Sequence, residues 1–159
     1  MTPRSKRRGG EGVSEKSSAR MRRTVIDTNI YIDWFNRGLH EAILFQAGAV
    51  KYLSAIVMME LLAGAFSAQD RKVLHGVKAA FAKTGRILLP TVAVYEEAGE
   101  VLRGLRISKS YTVTGASALA NDVLIAMSAR SIGATVFTQN ERDFVVIQSI
   151  RPFKLVVVP

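Results

Sequence analysis

Four carboxylates interrupt otherwise apolar segments of this chain: Asp27 in Thr-Val-Ile-Asp-Thr-Asn, Glu60 in Val-Met-Met-Glu-Leu-Leu, Asp122 in Ala-Asn-Asp-Val-Leu-Ile-Ala, and Asp143 in Thr-Gln-Asn-Glu-Arg-Asp-Phe. A carboxylate among Val, Ile, Leu and Met is costly to bury unless hydrogen bonds or a cation compensate it, so four of them imply a shared positive partner. A divalent metal fits that role, and an all-oxygen donor set suits Mg²⁺ or Mn²⁺, which take one or two direct carboxylates plus waters. The absence of cysteine excludes disulfides, thiolate metal sites and cysteine nucleophiles, and suits a reducing cytoplasm. Only His40 and His75 supply imidazoles. Both are expected to face solvent, which argues against a histidine-based mechanism.

The elements that must position these acids follow from hydropathy. Thr24 to Ile26 is a short β-branched run that delivers Asp27 at its carboxyl end. Further strands are expected over Lys51 to Val57, Arg86 to Leu89, Thr135 to Phe137 and Lys154 to Val158. Helices are expected over Ile30 to Phe35, His40 to Ala47, Met58 to Phe66, Gln69 to Lys83, Thr91 to Ile107, Ala118 to Ile132 and Glu141 to Ile147. Within Gln69 to Lys83 the inward stripe reads Val73, Val77, Ala80 and Phe81, with Gly85 ending the helix. Lys109 to Ala116 reads as a polar loop, and Ala118 to Ile132 is apolar nearly all round, as in a helix covered on two sides. The expected fold class is therefore α/β: a central parallel β-sheet of about five strands with helices on both faces.

In such a fold the site lies beyond the carboxyl ends of the strands. Asp27 and the segment Thr138 to Asp143 follow strands directly, Glu60 is expected in the opening turn of a helix that follows another, and the loop before Asp122 can carry that residue to the same edge. Each acid also has a plainer reading. Asp27 can cap the next helix, and a glutamate such as Glu60 is common in a first turn. Thr138 and Glu141 have capping-box spacing, Asn140 is an alternative cap, and Asp143 can pair with Arg142. Asp122 has the least room for such a reading, because it is the only charged residue between Ala116 and Ala129. Their joint occurrence at one edge favours a site.

With 159 residues and 48% hydrophobic content, the chain can build one domain with a sizeable core. Its net charge of +9 is concentrated at the front, where residues 1–23 hold eight cations and two anions. A segment so rich in Arg, Lys, Ser and Gly reads as a disordered basic tail over 1–22, ahead of a folded domain over 23–159. It is either a solvated arm, upstream residues preceding a start at Met21, or a contact for nucleic-acid phosphates. No apolar run approaches a membrane span, and no apolar segment follows the basic N-terminus as a secretory signal requires.

The four segments, in this order and spacing, resemble the successive motifs of PIN-domain nucleases over residues 24–158, and within them the VapC-type toxins of bacterial toxin–antitoxin pairs. That resemblance implies a metal site formed by Asp27, Glu60, Asp122 and Asp143, with Asn29, Thr138 and Asn140 as polar neighbours. The position matching Asn140 is an Asp in some relatives, so the last ligand falls on Asn140 or Asp143. It further implies hydrolysis of RNA phosphodiester bonds with Mg²⁺ or Mn²⁺, a protein antitoxin, a homodimer and a cytoplasmic, membrane-free setting. A PIN nuclease that processes cellular RNA without an antitoxin is the alternative within the class. Outside it stand a non-catalytic nucleic-acid or partner-binding module, and a haloacid-dehalogenase-like phosphatase, which requires a second Asp where Asn29 stands.

Overall fold

The computed structural model describes residues 21–108 and 116–159. The basic segment 1–20 and nearly all of the polar loop expected over Lys109 to Ala116 lie outside them. The described elements are β1 (Arg22–Ile26), α1 (Thr28–Arg37), α2 (Glu41–Phe45), β2 (Ala49–Ser54), α3 (Ala55–Ala63), α4 (Ala68–Lys83), β3 (Ile87–Leu88), α5 (Val92–Ile107), α6 (Ala116–Ser131), β4 (Thr135–Thr138), α7 (Glu141–Ile150) and β5 (Lys154–Val157).

The five strands form one parallel sheet in the order β3-β2-β1-β4-β5. β1 is central, with Val25 opposite both Tyr52 and Val136. Its exposure falls from Arg22 and Arg23 to the buried Thr24, Val25 and Ile26, as expected where helices cover both faces. From β1 the chain builds outward through β2 to β3, then returns past β1 to add β4 and β5 on the other side. This reversal puts a crevice between the carboxyl ends of β1 and β4, where Asp27 and Thr138 stand.

α6 is the helix expected to be covered on two sides. It packs against α3, α5, α7, β1 and β4, and Val123, Ile125, Ala126, Met127 and Ala129 are fully enclosed. Phe144 of α7 fills the space beside it and meets Phe153 edge-on at 6.3 Å, and burying a ring of this size contributes about 1.5–3 kcal/mol. Of the inward stripe Val94, Ala98, Val101, Leu102 and Leu105 that the periodicity of α5 predicts, all are buried except Leu102, which packs half-buried against the core. In α4 the inward residue is Leu74, with Val77 and Phe81 half-buried on the same stripe, while Val73 and Ala80 are exposed. The stripe therefore keeps Val77 and Phe81, replaces Val73 by Leu74 and leaves Ala80 outside, in a helix whose start is fixed by the capping box of Ser67 with Asp70. α1 ends at Gly38, whose φ of +66° returns its N–H to the Asp33 and Trp34 carbonyls, a conformation that a side chain disfavours. Among the described residues no helix is long and apolar enough to cross a membrane.

Candidate active site

Asp27 is the residue at which β1 becomes α1. Its backbone N–H still donates to the Phe137 carbonyl of the sheet at 2.9 Å, while its side chain caps α1 by accepting from the Thr28 N–H at 2.7 Å. The capping and site readings of this residue are therefore compatible. Its other oxygen, Oδ2, accepts from Thr138 Oγ1 at 2.7 Å and from Asn29 Nδ2 at 3.1 Å. Burial pushes the Asp27 carboxyl above the usual carboxylate range. The hydrogen bonds from Thr138, Thr28 and Asn29 work against that rise, and the charge of Glu60 adds to it.

Thr138, at the end of β4, is fully buried and does not form the expected capping box with Glu141. Its hydroxyl donates to Asp27 and accepts from the Asn140 N–H at 2.9 Å, so the cap of α7 falls to Asn140, whose side chain accepts from the Asp143 N–H at 3.3 Å. The Thr-x-x-Glu spacing fits a capping box, but a hydroxyl that donates to the buried Asp27 carboxylate turns its lone pairs to the Asn140 N–H and the Asn29 amide rather than to the Glu141 N–H. Asn140 has a second task. Its amide nitrogen donates to Asp122 Oδ2 and to Asp143 Oδ2, each at 3.0 Å, so one neutral side chain separates two acids. Asp143 is half-buried, more open than Asp27 and Asp122, and also lies 3.6 Å from the Arg142 guanidinium.

Glu60 reaches the site differently from its expected position. Ser54 caps α3 by accepting from the Ile56 N–H, so the helix starts at Ala55 and Glu60 sits in its second turn. From there Glu60 Oε2 accepts from the Thr28 hydroxyl, and Oε1 accepts from Asn121 Nδ2 at 2.8 Å. Asp122 follows on α6 and is 9% exposed. Its carboxyl is pushed up to about 8 by burial first, then by the charges of Asp27, Asp143 and Glu60, with only the Asn140 hydrogen bond acting the other way.

The expected residues Asp27, Asn29, Glu60, Asp122, Thr138, Asn140 and Asp143 are thus joined through direct or shared hydrogen bonds and mutual charge. Among the described residues no three acids converge at ligating distance, because Asn140 stands between Asp122 and Asp143 while Thr28 and Asn121 hold Glu60. Thr28, Asn121 and Gln139 were not singled out from sequence. A polar residue adjoining an acid has no periodic signature, although each of these three lies inside a quoted motif. His40 is a correction. It adopts φ +64° ahead of α2, and its ring is 12% exposed, 3.4 Å from Asp33 and 3.3 Å from the Gln139 amide. Gln139 in turn donates its backbone N–H to Asn29 at 3.3 Å. His75 is exposed, as expected.

The PIN domain family matches residues 24–148. Among solved structures, the chain is similar to one of the VapBC2 complex from Rickettsia felis bound to a promoter DNA fragment, with TM-score 0.64, 22% identity, and 86% of this chain and 99% of that one covered. A DNA-bound VapBC from Salmonella typhimurium gives TM-score 0.62 at 21% identity, covering 86% and 98%. FitAcB from Neisseria gonorrhoeae gives 0.60 at 21% identity, covering 83% and 95%. At such identities the likeness to these structures is one of fold. A comparison with curated protein sequences gives no match.

Proposed function

The chain belongs to the PIN domain family, whose members are nucleases, and from that premise we propose that it is a metal-dependent endoribonuclease acting as the toxin of a toxin–antitoxin pair. The observation that carries the metal reading is the gathering of Asp27, Glu60, Asp122 and Asp143 into one hydrogen-bonded network beyond the strand ends, with Asp27 and Asp122 buried and the Asp122 carboxyl pushed up to about 8 by burial and the other three acids. Acids that repel one another at neutral pH are relieved by a shared cation, and the donor set, carboxylate and amide oxygens without sulfur or imidazole, fits a hard dication.

Asp27, Glu60, Asp122 and Asp143 would hold Mg²⁺ or Mn²⁺, with Asn29, Thr138 and Asn140 orienting them. The ion, when bound, supplies a Lewis acid that activates water and neutralises charge on the phosphate. The chain's own contribution is preorganisation. Thr138 and Asn29 hold Asp27 Oδ2, Thr28 and Asn121 fix both oxygens of Glu60, and Asn140 sets the spacing of Asp122 and Asp143. The RNA substrate is favoured by the basic charge of the chain together with the toxin likeness. What supports the toxin reading over a cellular processing nuclease is that VapBC and FitAcB chains are covered over 95–99% of their length. A partner antitoxin would cover the acidic crevice, with an Arg offering its carboxylates bidentate contacts, and the toxin would act as a homodimer.

The test is gel cleavage of RNA with Mn²⁺ by the parent, Asp27→Asn and Asp122→Asn, with circular dichroism confirming that each folds. Cleavage is expected to fall on the order of 100-fold or more. Undiminished cleavage by both variants would sink the site assignment. Expression of the chain alone is expected to arrest growth, and co-expression of an antitoxin encoded beside it to restore growth; harmless expression with the acids intact removes the toxin reading.

A further inference from the structure

At the opposite edge of the sheet, where the strands begin, lies an open cleft of about 720 Å³ framed by Arg22 and Arg23 of β1, Thr135 of β4 and Lys154 of β5. The parallel register brings these together: Thr24 is opposite Thr135, and Thr135 is opposite Lys154. No carboxylate lines the cleft, and none of its three cations makes an ion pair among the described residues.

Two of the cations are held in place without being neutralised. Arg23 Nη1 donates to the Ile132 carbonyl at 2.9 Å and Lys154 Nζ to the Gly133 carbonyl at 3.2 Å, both where the chain leaves α6. A guanidinium carries five N–H donors and an ammonium three, so each retains donors for a ligand. Arg22 is exposed and uses none of its own on the described residues.

We infer that this amino-edge cleft is a second phosphate-binding surface, which takes the sugar-phosphate backbone of the same single-stranded RNA whose cleavage is proposed above; the identity of the ligand rests on that reading. Placement explains why the two charge clusters coexist. From Arg22 to Asp27 is five residues of extended chain, about 16 Å at roughly 3.3 Å per residue. That exceeds the Debye length of about 10 Å at 0.1 M salt, so the cations attract a polyanion without pairing with the acids at the other edge. A long strand can touch both edges, anchored by phosphates at one and presented to the carboxylates at the other.

The test measures RNA affinity against salt in EDTA, by fluorescence anisotropy with a labelled single strand of roughly 20 nucleotides, long enough to exceed one binding site of about 4–16. The full chain is compared with Arg22→Gln/Lys154→Gln and with the charge-keeping Arg22→Lys/Lys154→Arg. The Gln pair is expected to lower the slope of log affinity against log salt by about 1.4, roughly 0.7 for each of two phosphate contacts, and the charge-keeping pair to retain it. Cleavage at saturating RNA with Mn²⁺ stays at the parent level in both, since no carboxylate changes. An unchanged slope in the Gln pair, an equal loss in the charge-keeping pair, or competition by polyglutamate as strong as by RNA would overturn the inference. A parent that binds RNA with the expected slope but never cuts it would instead remove the nuclease reading and leave the cleft standing.

Discussion

The side-chain amide of Asn140 lies 3.0 Å from Asp122 Oδ2 and, through the same nitrogen, 3.0 Å from Asp143 Oδ2. A neutral donor between two acids lets them approach without a cation, at the cost of holding one of them, Asp122, against burial and repulsion. Asn140→Asp removes both hydrogen bonds and adds a third carboxyl beside Asp122 and Asp143. In EDTA it is expected to destabilise the fold by about 2 kcal/mol, lowering Tm by roughly 6 °C for a domain of this size. Mn²⁺ should recover more Tm in the variant than in the parent. Differential scanning fluorimetry checks this, and equal Tm values in EDTA would show that Asn140 is not what separates the acids.

The Asp122 carboxyl sets a pH dependence of the metal-free protein. Its folded value of about 8 stands above the ordinary 3.8, so the folded state holds the proton more tightly. The resulting stability is complete below about pH 4 and is lost as pH rises through about 8. The Tm in EDTA should therefore fall as pH rises across that window in the parent. Asp122→Asn should flatten the profile, leaving the slope that Asp27 contributes in the same direction. Parallel profiles for parent and variant would contradict the assignment of this titration to Asp122.

The central strand was legible in the sequence because its end is buried on both faces and reads as a short apolar run, Val25 and Ile26, closed by Asp27. The acids themselves were legible for the same reason: a charge inside such a run is conspicuous. What was not legible is the network that holds them. Ser54 starts α3 three residues earlier than the apolar run suggested and moves Glu60 to the second turn, because the cap overrides the hydropathy pattern. Thr138 matched a capping box on spacing, yet its hydroxyl turns to Asp27, 111 residues away, a contact no local rule contains. His40 read as a surface residue, and its φ of +64° directs the ring towards Asp33 and Gln139 instead.

Thr138→Val tests whether that long-range contact matters to chemistry as well as to folding. The substitution keeps shape but removes the donor to Asp27 Oδ2 and the acceptor of the Asn140 N–H, both at a fully buried position. A stability loss of about 1–3 kcal/mol is expected, with cleavage down about 10–100-fold if Asp27 holds the proposed ion, the usual effect of losing a partner that orients a metal ligand. Thr138→Ser retains the hydroxyl and should keep most of the activity. Cleavage by the Val variant at the parent rate, measured below its lowered Tm, would reduce Thr138 to a packing role.

The basic segment ahead of the domain yields the last expectation, and β1 decides where it must be cut. The strand begins at Arg22 and its burial at Thr24, so a truncation through residue 22 removes part of β1 and a cation of the amino-edge cleft. Removing residues 1–20 spares both. Because every buried residue of the described core lies at or beyond Thr24, Tm is expected to change by less than about 2 °C, the shift that about 0.5–1 kcal/mol would produce at this size. The deleted residues carry six cations, Arg4, Lys6, Arg7, Arg8, Lys16 and Arg20, against Glu11 and Glu15. If they touch RNA, the salt slope should fall by about 0.7 for each phosphate they neutralise, in addition to the decrease from Arg22→Gln/Lys154→Gln, because the two groups of cations are separate in sequence and act on different phosphates. A truncated chain with the parent slope and the parent Tm would make the segment a bystander and leave the affinity to the cations of the folded domain. A truncated chain that melts well below the parent would mean that the domain begins before Met21.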